Sequence, residues 1–302
     1  MTNRSSRRRP SAGRLLTILA ITAVALFDVQ APAASADPDI APVSSVAVPD
    51  GPAPAWIVAD MDTGQILAGR NEYGQYAPAS TIKVLLALTV LNELNLDQTI
   101  TASVADTQVE CNCAGVVPGK TYTVRQLLPA LLLVSGNDVA NTLASGLGGQ
   151  EQAVAKMNAM AALIGAYGTN AASPSGLDGP GMPMWTSPHD LAVIFRAAMA
   201  NPVFAQITAM PSTVFPTKTG DTVLVNQNEL LKRYPGALGG KTGYTNIARK
   251  TFVGAAQHGN RRLVVATMFG LDTPGKPTNW DQAVALLNWG FAQPSSTTVG
   301  AL

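Results

Sequence analysis

The sequence predicts an α/β fold of the α+β kind: an antiparallel sheet flanked by helices, with an all-helical lobe inserted between its strands. Three observations predict it. Strand-type runs stand at both ends of the folded region, the stretch between them is helix-type, and a further helix-type segment closes the chain. A sheet assembled from such distant segments leaves a cleft between itself and the inserted lobe.

At the N-terminus, Arg4, Arg7, Arg8, Arg9 and Arg14 precede an apolar core from Leu15 to Phe27, and Ala34-Ser35-Ala36 offers a small-residue cleavage site. Residues 1–36 therefore read as a secretory signal peptide cleaved near Ala36, which predicts a secreted, extracytoplasmic protein of the periplasm or cell wall. The apolar core is short for a membrane span, and retention as an anchor is the alternative. Removing the leader takes five of the 20 Lys and Arg and one of the 19 Asp and Glu, leaving 15 against 18, a formal −3. No basic stripe remains that would suit a nucleic acid. Residues 37–54, rich in Pro, Ala, Ser and Val, read as an extended linker, residues 55–291 as one catalytic domain, and residues 98–210, roughly, as its helical lobe. Residues 292–302 read as a short tail, with no C-terminal membrane anchor expected there.

Within the domain, Val84-Leu85-Leu86-Ala87-Leu88-Thr89-Val90-Leu91 is apolar nearly all round and predicts a buried helix. Val124 to Val134 is apolar with a kink expected at Pro129, Asp138 to Leu147 ends at Gly148-Gly149, and Gln150 to Ala166 repeats Ala, Met and Leu at helical spacing. Ser187-Pro188-His189-Asp190 opens a helix with a cap, a proline at the first position and an acid three residues on. From there the pattern turns to strands at Thr213–Thr217, Thr222–Val225, Lys241–Asn246, Thr251–Gln257 and Arg262–Phe269, and Trp280 to Phe291 is the closing helix.

Three short polar words carry the chemistry: Ser80-Thr81-Ile82-Lys83, then Ser135-Gly136-Asn137, then Lys241-Thr242-Gly243. Singly each is cheap, since average composition places an S-x-x-K about once in a chain of this size. Ser80 opens the buried helix, where unpaired N–H groups and a positive dipole would stabilise an oxyanion, and Lys83 shares its helix face. A serine hydroxyl is a poor nucleophile until a base takes its proton, and a lysine is such a base only when neutral. Burial and a second cation, for which Lys241 is the candidate, would both lower the Lys83 pKa. Taken alone, the motif reads more readily as structure, with Ser80 an ordinary helix cap and Lys83 a snorkelling surface lysine. Ser135 and Asn137 read either as a turn between helices or as a proton relay beside Lys83 and an amide that holds substrate backbone.

Lys-Thr-Gly occurs twice, so context must choose. Lys218-Thr219-Gly220 lies between two β-rich runs and reads as a hairpin turn. Lys241 follows Gly236-Ala237-Leu238-Gly239-Gly240, whose small residues admit a ligand or another backbone, so a strand there can offer a cation, a hydroxyl and open backbone groups to a peptide carboxylate. His189 and His258 are the two histidines, one at a helix start and one in a hairpin turn, and both are assigned to structure. Cys111 and Cys113 flank Asn112, and the spacing leaves local pairing and two free thiols equally open. No metal ligand set, phosphate loop or G-x-S-x-G is present in the sequence, so neither a metal nor a cofactor is expected.

Together the three words resemble the penicillin-binding and serine β-lactamase superfamily, and most closely its low-molecular-weight D-alanyl-D-alanine carboxypeptidases. The resemblance extends from Trp56-Ile57-Val58-Ala59-Asp60-Met61-Asp62-Thr63-Gly64, like the family's opening hairpin, through Pro78-Ala79-Ser80 and Leu132-Leu133-Val134-Ser135-Gly136-Asn137-Asp138-Val139-Ala140. It continues to Asn226-Gln227-Asn228-Glu229-Leu230-Leu231 and Gly239-Gly240-Lys241-Thr242-Gly243-Tyr244-Thr245. It implies a β-lactamase/transpeptidase-like fold, Ser80 as the acylated nucleophile, Lys83 as its base, and Ser135 and Asn137 completing the proton and substrate network. Lys241, Thr242 and Gly243 would then receive the substrate's carboxylate end, with the N–H groups of Ser80 and Tyr244 as the oxyanion hole. The implied partner is a peptidoglycan stem peptide ending in D-Ala-D-Ala, with β-lactams as covalent inhibitors. One departure is Ala248-Arg249-Lys250-Thr251, two cations where many relatives carry small residues.

Two other functions share these residues. A serine β-lactamase of the common class needs a Glu-x-x-Leu-Asn segment between the second and third words. None exists, and Glu93-Leu94-Asn95 stands too early and lacks the spacing. A non-catalytic penicillin-binding-like wall sensor would leave the joint presence of Ser80, Lys83, Ser135 and Lys241 unexplained.

Overall fold

The computed structural model describes residues 1–2, 39–42 and 46–302, and the expected signal peptide lies almost wholly outside the described residues. Two strands open the domain, β1 (Ala55–Asp60) and β2 (Gln65–Arg70). A 3₁₀ turn (Ala79–Ile82) leads into α1 (Lys83–Glu93). The inserted lobe follows with β3 (Thr99–Thr101), α2 (Val104–Thr107), β4 (Thr121–Thr123), α3 (Val124–Leu133), α4 (Asn137–Gly146) and α5 (Gln150–Leu163). The chain returns through α6 (Pro188–Met199) and α7 (Pro202–Thr208) to a hairpin of β5 (Ser212–Thr217) and β6 (Gly220–Val225). Then come α8 (Leu230–Arg233), β7 (Ala237–Thr245), β8 (Arg249–His258), β9 (Arg261–Gly270), α9 (Asn279–Ala292) and β10 (Gly300–Ala301).

The main sheet has six strands in the order β10-β2-β1-β9-β8-β7, and every neighbouring pair is antiparallel. Its first strand and a late one therefore meet at its centre, where β1 pairs with β9 from Ala55↔Met268 to Asp60↔Leu263. Strand alternation divides the core between the two faces. Trp56, Val58, Leu263 and Val265 pack with Leu286 and Leu287 of α9, while Ile57, Ala59, Val264 and Ala266 join the larger core that α1, α3 and α6 fill. β1 is buried on both faces, which is why its sequence shows no apolar/polar alternation.

Local sequence explains the boundaries. Ser187 caps α6 by accepting from Asp190 N–H, with Pro188 at the first turn, as its sequence predicts. Thr123 and Thr278 form reciprocal capping boxes with Gln126 and Asp281 at the starts of α3 and α9. Three differences from expectation have physical reasons. The lobe is mainly helical but also carries the two-stranded pair β3–β4. β7 begins at Ala237, four residues before the expected start, because Gly239 and Gly240 pair with Ala255 and Gly254 despite lacking side chains to signal a strand. The C-terminal residues read as a tail include β10, whose Gly300 and Ala301 extend the sheet beside β2. Among the described residues no single helix is long and apolar enough to cross a membrane.

Candidate active site

The cleft between sheet and lobe has a volume of about 450 Å³ and is walled by Ser80, Ser135, Asn137, Thr242, Gly243 and Tyr244, among others. Of the other expected site residues, Lys83 touches Ser80 and Asn137, and Lys241 lies near enough for its charge to act on Lys83. Ser80 is not in α1 itself but in the 3₁₀ turn before it, and Lys83 is the first residue of the helix. The turn is pinned from two directions: Pro78 O accepts from Thr81 Oγ1 at 2.6 Å and from Thr251 Oγ1 of β8 at 2.8 Å.

Lys83 is fully buried. Its Nζ donates to Ser80 Oγ at 2.7 Å, to Asn137 Oδ1 at 2.7 Å and to the carbonyl of Ser175 at 2.5 Å. Burial pushes its pKa well below the ordinary lysine value, the Lys241 charge pushes it further down, and the Asp138 carboxylate pulls it back up to a smaller extent. Lys241, 2% exposed, is itself lowered by burial to about 7, and its Nζ donates to Thr242 O at 2.7 Å. The second cation expected from sequence is thus in place. Ser135 is 2% exposed, takes a left-handed backbone (φ 62°), and its Oγ is a buried hydroxyl without a protein partner. Such a group, beside a lysine–serine pair, is open to a substrate atom or a shuttled proton. Tyr244 is exposed at the rim.

β7 is the edge strand, so its outer side faces the cleft instead of another strand. Glycine at 243 allows it to come close. A Cβ there would stand 2.3 Å from Thr251 Oγ1, 2.9 Å from Ser80 N and 3.0 Å from Ala79 Cβ.

Several contributors had no sequence signal. The Ser175 carbonyl, which also lies 3.4 Å from Ser80 Oγ, is a backbone acceptor that any residue type supplies. Gly176 beside it marks the close approach, since a Cβ there would meet Ala79 O at 2.0 Å. Asp138, next to Asn137 in the second word, accepts from the N–H groups of Ala114, Gly115 and Val116. Cys111 and Cys113 are joined as a disulfide, and Cys111 lines the cleft. The added cation Lys250 pairs with Asp272 at the cleft wall.

The residues assigned to structure lie elsewhere. Lys218 and Thr219 form the β5–β6 turn, with Thr217 paired to Gly220. His189 sits against Asp190 and Tyr73, and His258 stacks between Tyr234 and Phe291. Glu93 ends α1 in an ion pair with Lys156.

A serine held by a buried, pKa-depressed lysine, in a cleft between an antiparallel sheet and a helical lobe, is the arrangement expected of a serine hydrolase with a lysine base. Comparison with known proteins names the family. The D-alanyl-D-alanine carboxypeptidase model matches residues 43–271. D-alanyl-D-alanine carboxypeptidase DacB2 of Mycobacterium tuberculosis is 65% identical over 267 residues, covering 88% of this chain and 92% of that protein. The D-alanyl-D-alanine carboxypeptidase of a Streptomyces species is 31% identical over 301 residues, covering 95% and 99%. A crystal structure of a D-alanyl-D-alanine carboxypeptidase from M. tuberculosis superimposes with a TM-score of 0.85 at 65% identity, over 87% of this chain and all of that one. The Streptomyces DD-transpeptidase superimposes at 0.76 and 30% identity, over 82% of this chain and all of that one. The chain belongs to the D-alanyl-D-alanine carboxypeptidase family. It is a serine-type carboxypeptidase with the penicillin-binding protein fold.

One prediction follows from the close approach of β7. Gly243→Ala should lower the rate at which a fluorescent penicillin acylates the enzyme by about a hundredfold, because the methyl must displace either Thr251 or the nucleophile turn. Acylation at the wild-type rate in a folded variant would show that β7 need not lie so close.

Proposed function

We propose that this chain removes the terminal D-alanine from peptidoglycan stem peptides ending in D-Ala-D-Ala, through an acyl-enzyme on Ser80. The observation that carries this reading is the 2.7 Å contact between Lys83 Nζ and Ser80 Oγ in a fully buried setting that lowers the lysine's pKa. In its neutral form Lys83 donates only to Asn137 Oδ1 and Ser175 O, leaving its lone pair toward Ser80 Oγ, and it takes the Ser80 proton as Oγ attacks the penultimate carbonyl. The oxyanion develops beside the N–H groups of Ser80 and Tyr244, where fixed donors are worth a few kcal/mol each. Protonated Lys83 returns the proton through the Ser135 hydroxyl to the departing D-alanine nitrogen, and water then hydrolyses the ester. Asn137 orients Lys83 and the peptide backbone, and the peptide lies along the open edge of β7. Thr242 and Lys241 receive its carboxylate, an anion that favours the charged form of a lysine poised at about 7.

The substrate class and the arginine-rich leader together support work outside the cytoplasm, with the leader removed near Ala36. β-Lactams, which carry an acylating carbonyl and a carboxylate, would occupy the same positions and acylate Ser80. Among the residues lining the cleft Glu110 is the one carboxylate, and its residue is exposed to solvent, so no buried acid stands ready to activate water against the adduct.

The test is a stem pentapeptide assay with peptide mapping of the covalent adduct. D-alanine should be released, and penicillin should leave a long-lived ester on Ser80. Rapid regeneration of free enzyme would favour a β-lactamase, and an adduct without peptide turnover would favour a sensor. The Streptomyces relative is also called a DD-transpeptidase. Adding an amine acceptor to the assay shows whether the acyl group here goes to water or to the amine.

A further inference from the structure

The turn that carries Ser135 and Asn137 is gripped from outside by a three-residue ring. Cys111 and Cys113 are bonded through their sulfurs around Asn112. Asn112 Nδ2 donates to Val134 O at 3.1 Å, on one side of the turn. On the other side, Asn137 N–H donates to Asn112 O at 2.7 Å and Asn137 Nδ2 donates to Glu110 O at 2.8 Å. Between these grips Ser135 keeps its left-handed backbone, a conformation that a non-glycine residue holds only where its surroundings over-determine it. The segment after the ring is fastened as well, because the Asp138 carboxylate accepts from three successive N–H groups, Ala114 to Val116.

The geometry points to the Cys111–Cys113 disulfide as a positioning clamp: it fixes the Glu110–Cys113 segment, which holds the Ser135-Gly136-Asn137 turn and with it Asn137 Oδ1 against Lys83 Nζ, and its reduction by a dithiol slows acylation of Ser80. This rests on the serine–lysine reading above. The physical reason is the exposure of the ring. Glu110, Cys111 and Asn112 are all exposed, so little packing holds this segment and its carbonyls in place for Asn137. Without the bridge, the segment regains backbone freedom that its few hydrogen bonds must then overcome. The bridge removes that freedom where it matters, one bond away from the Lys83 network.

The same exposure gives a dithiol access. One of its thiolates attacks a cysteine sulfur, the S–S bond breaks and a mixed disulfide forms. The reagent's second thiol then displaces the protein. Cys111 and Cys113 finish as two thiols, and the reagent, having supplied two electrons and two protons, leaves as its own disulfide.

The experiment uses the whole enzyme, oxidised and after dithiothreitol, with the two added hydrogens verified by intact mass and the melting temperature measured in parallel. Reduction should lower both penicillin acylation and kcat for D-alanine release by about ten- to a hundredfold, with less change in KM, and reoxidation should restore them. Cys111→Ala combined with Cys113→Ala should show the same loss and ignore dithiothreitol. In an Asn137→Ala background, opening the bridge should cost less than in wild type, because the Asn137 side-chain contacts are already gone and only the grips on Val134 O and the residue 137 N–H remain to be loosened. Full activity in the reduced enzyme, or an undiminished further loss in the Asn137→Ala background, would overturn the clamp. If the double cysteine variant does not fold, the reduced wild type alone decides. Wild-type enzyme that acylates normally but releases no D-alanine would sink the proposed function and leave the clamp testable by acylation.

Discussion

Ser80→Ala is expected to abolish both D-alanine release and the covalent penicillin adduct, while leaving the fold intact. Ser80 Oγ makes two contacts, with Lys83 Nζ and weakly with Ser175 O, and the half-buried residue fills no core position. Removing the oxygen thus takes away the attacking atom at small structural cost. The lysine keeps its two remaining partners, Asn137 Oδ1 and Ser175 O. Turnover should fall to the level of the uncatalysed reaction plus what positioning and the oxyanion donors supply, a loss of about 10⁴-fold or more. Non-covalent penicillin binding should survive. D-alanine release at more than a few per cent of wild type would remove Ser80 from the mechanism.

Lys83→Arg should be almost as damaging, for a different reason. A guanidinium stays protonated at any working pH and cannot take the Ser80 proton, and its planar fork does not fit a site shaped around one Nζ with three acceptors at 2.5 to 2.7 Å. A general base contributes about 10²–10⁴-fold, and the loss should fall at the upper end. In wild type, turnover should decline on the acid side as Lys83 gains its proton. Lys83→Met separates chemistry from stability. The unfolded chain holds the Lys83 proton up to about 10.5, the ordinary lysine value, whereas burial drives that proton off at lower pH in the fold. Between the two pKa values the unfolded state binds more protons, so this lysine makes wild-type stability rise with pH. Methionine removes that slope. Asn137 Oδ1 and Ser175 O lose a donor at every pH alike, so the variant should compare best with wild type in acid and progressively worse toward pH 10.5. Parallel stability curves for the two proteins would mean that Lys83 is not depressed in the fold.

How much of this was legible in the sequence depended on whether a residue type or a backbone group does the work. Ser80, Lys83, Asn137 and Lys241 were visible because the proposed chemistry falls on their side chains, and the fold sets Lys83 against Ser80 and Asn137 with the Lys241 charge close by. Choosing Lys241 over Lys218 also needed only local context, since a β-turn signal flanked one copy and small residues preceded the other. The Ser175, Glu110 and Asn112 carbonyls were invisible, because every residue owns a carbonyl and only tertiary structure aims it. The cysteine pair stood undecided, as two thiols one residue apart pair or not according to the backbone between them, which here places their Cα atoms 4.9 Å apart. The β3–β4 pair escaped notice because strands of three residues carry too little alternation to register.

The pairing of β1 with β9 has a further consequence for timing. Lys241 follows Ser80 by 161 residues, and the sheet that presents it is completed only when β9 docks between β1 and β8. On the proposed mechanism Ser80 would therefore be made long before its cleft, with Lys83 still solvated, protonated and unable to act as a base. Contacts this distant in sequence close late. On the proposed mechanism a partly emerged chain would be chemically silent, neither trimming a peptide nor being trapped by a β-lactam, until β9 had docked between β1 and β8.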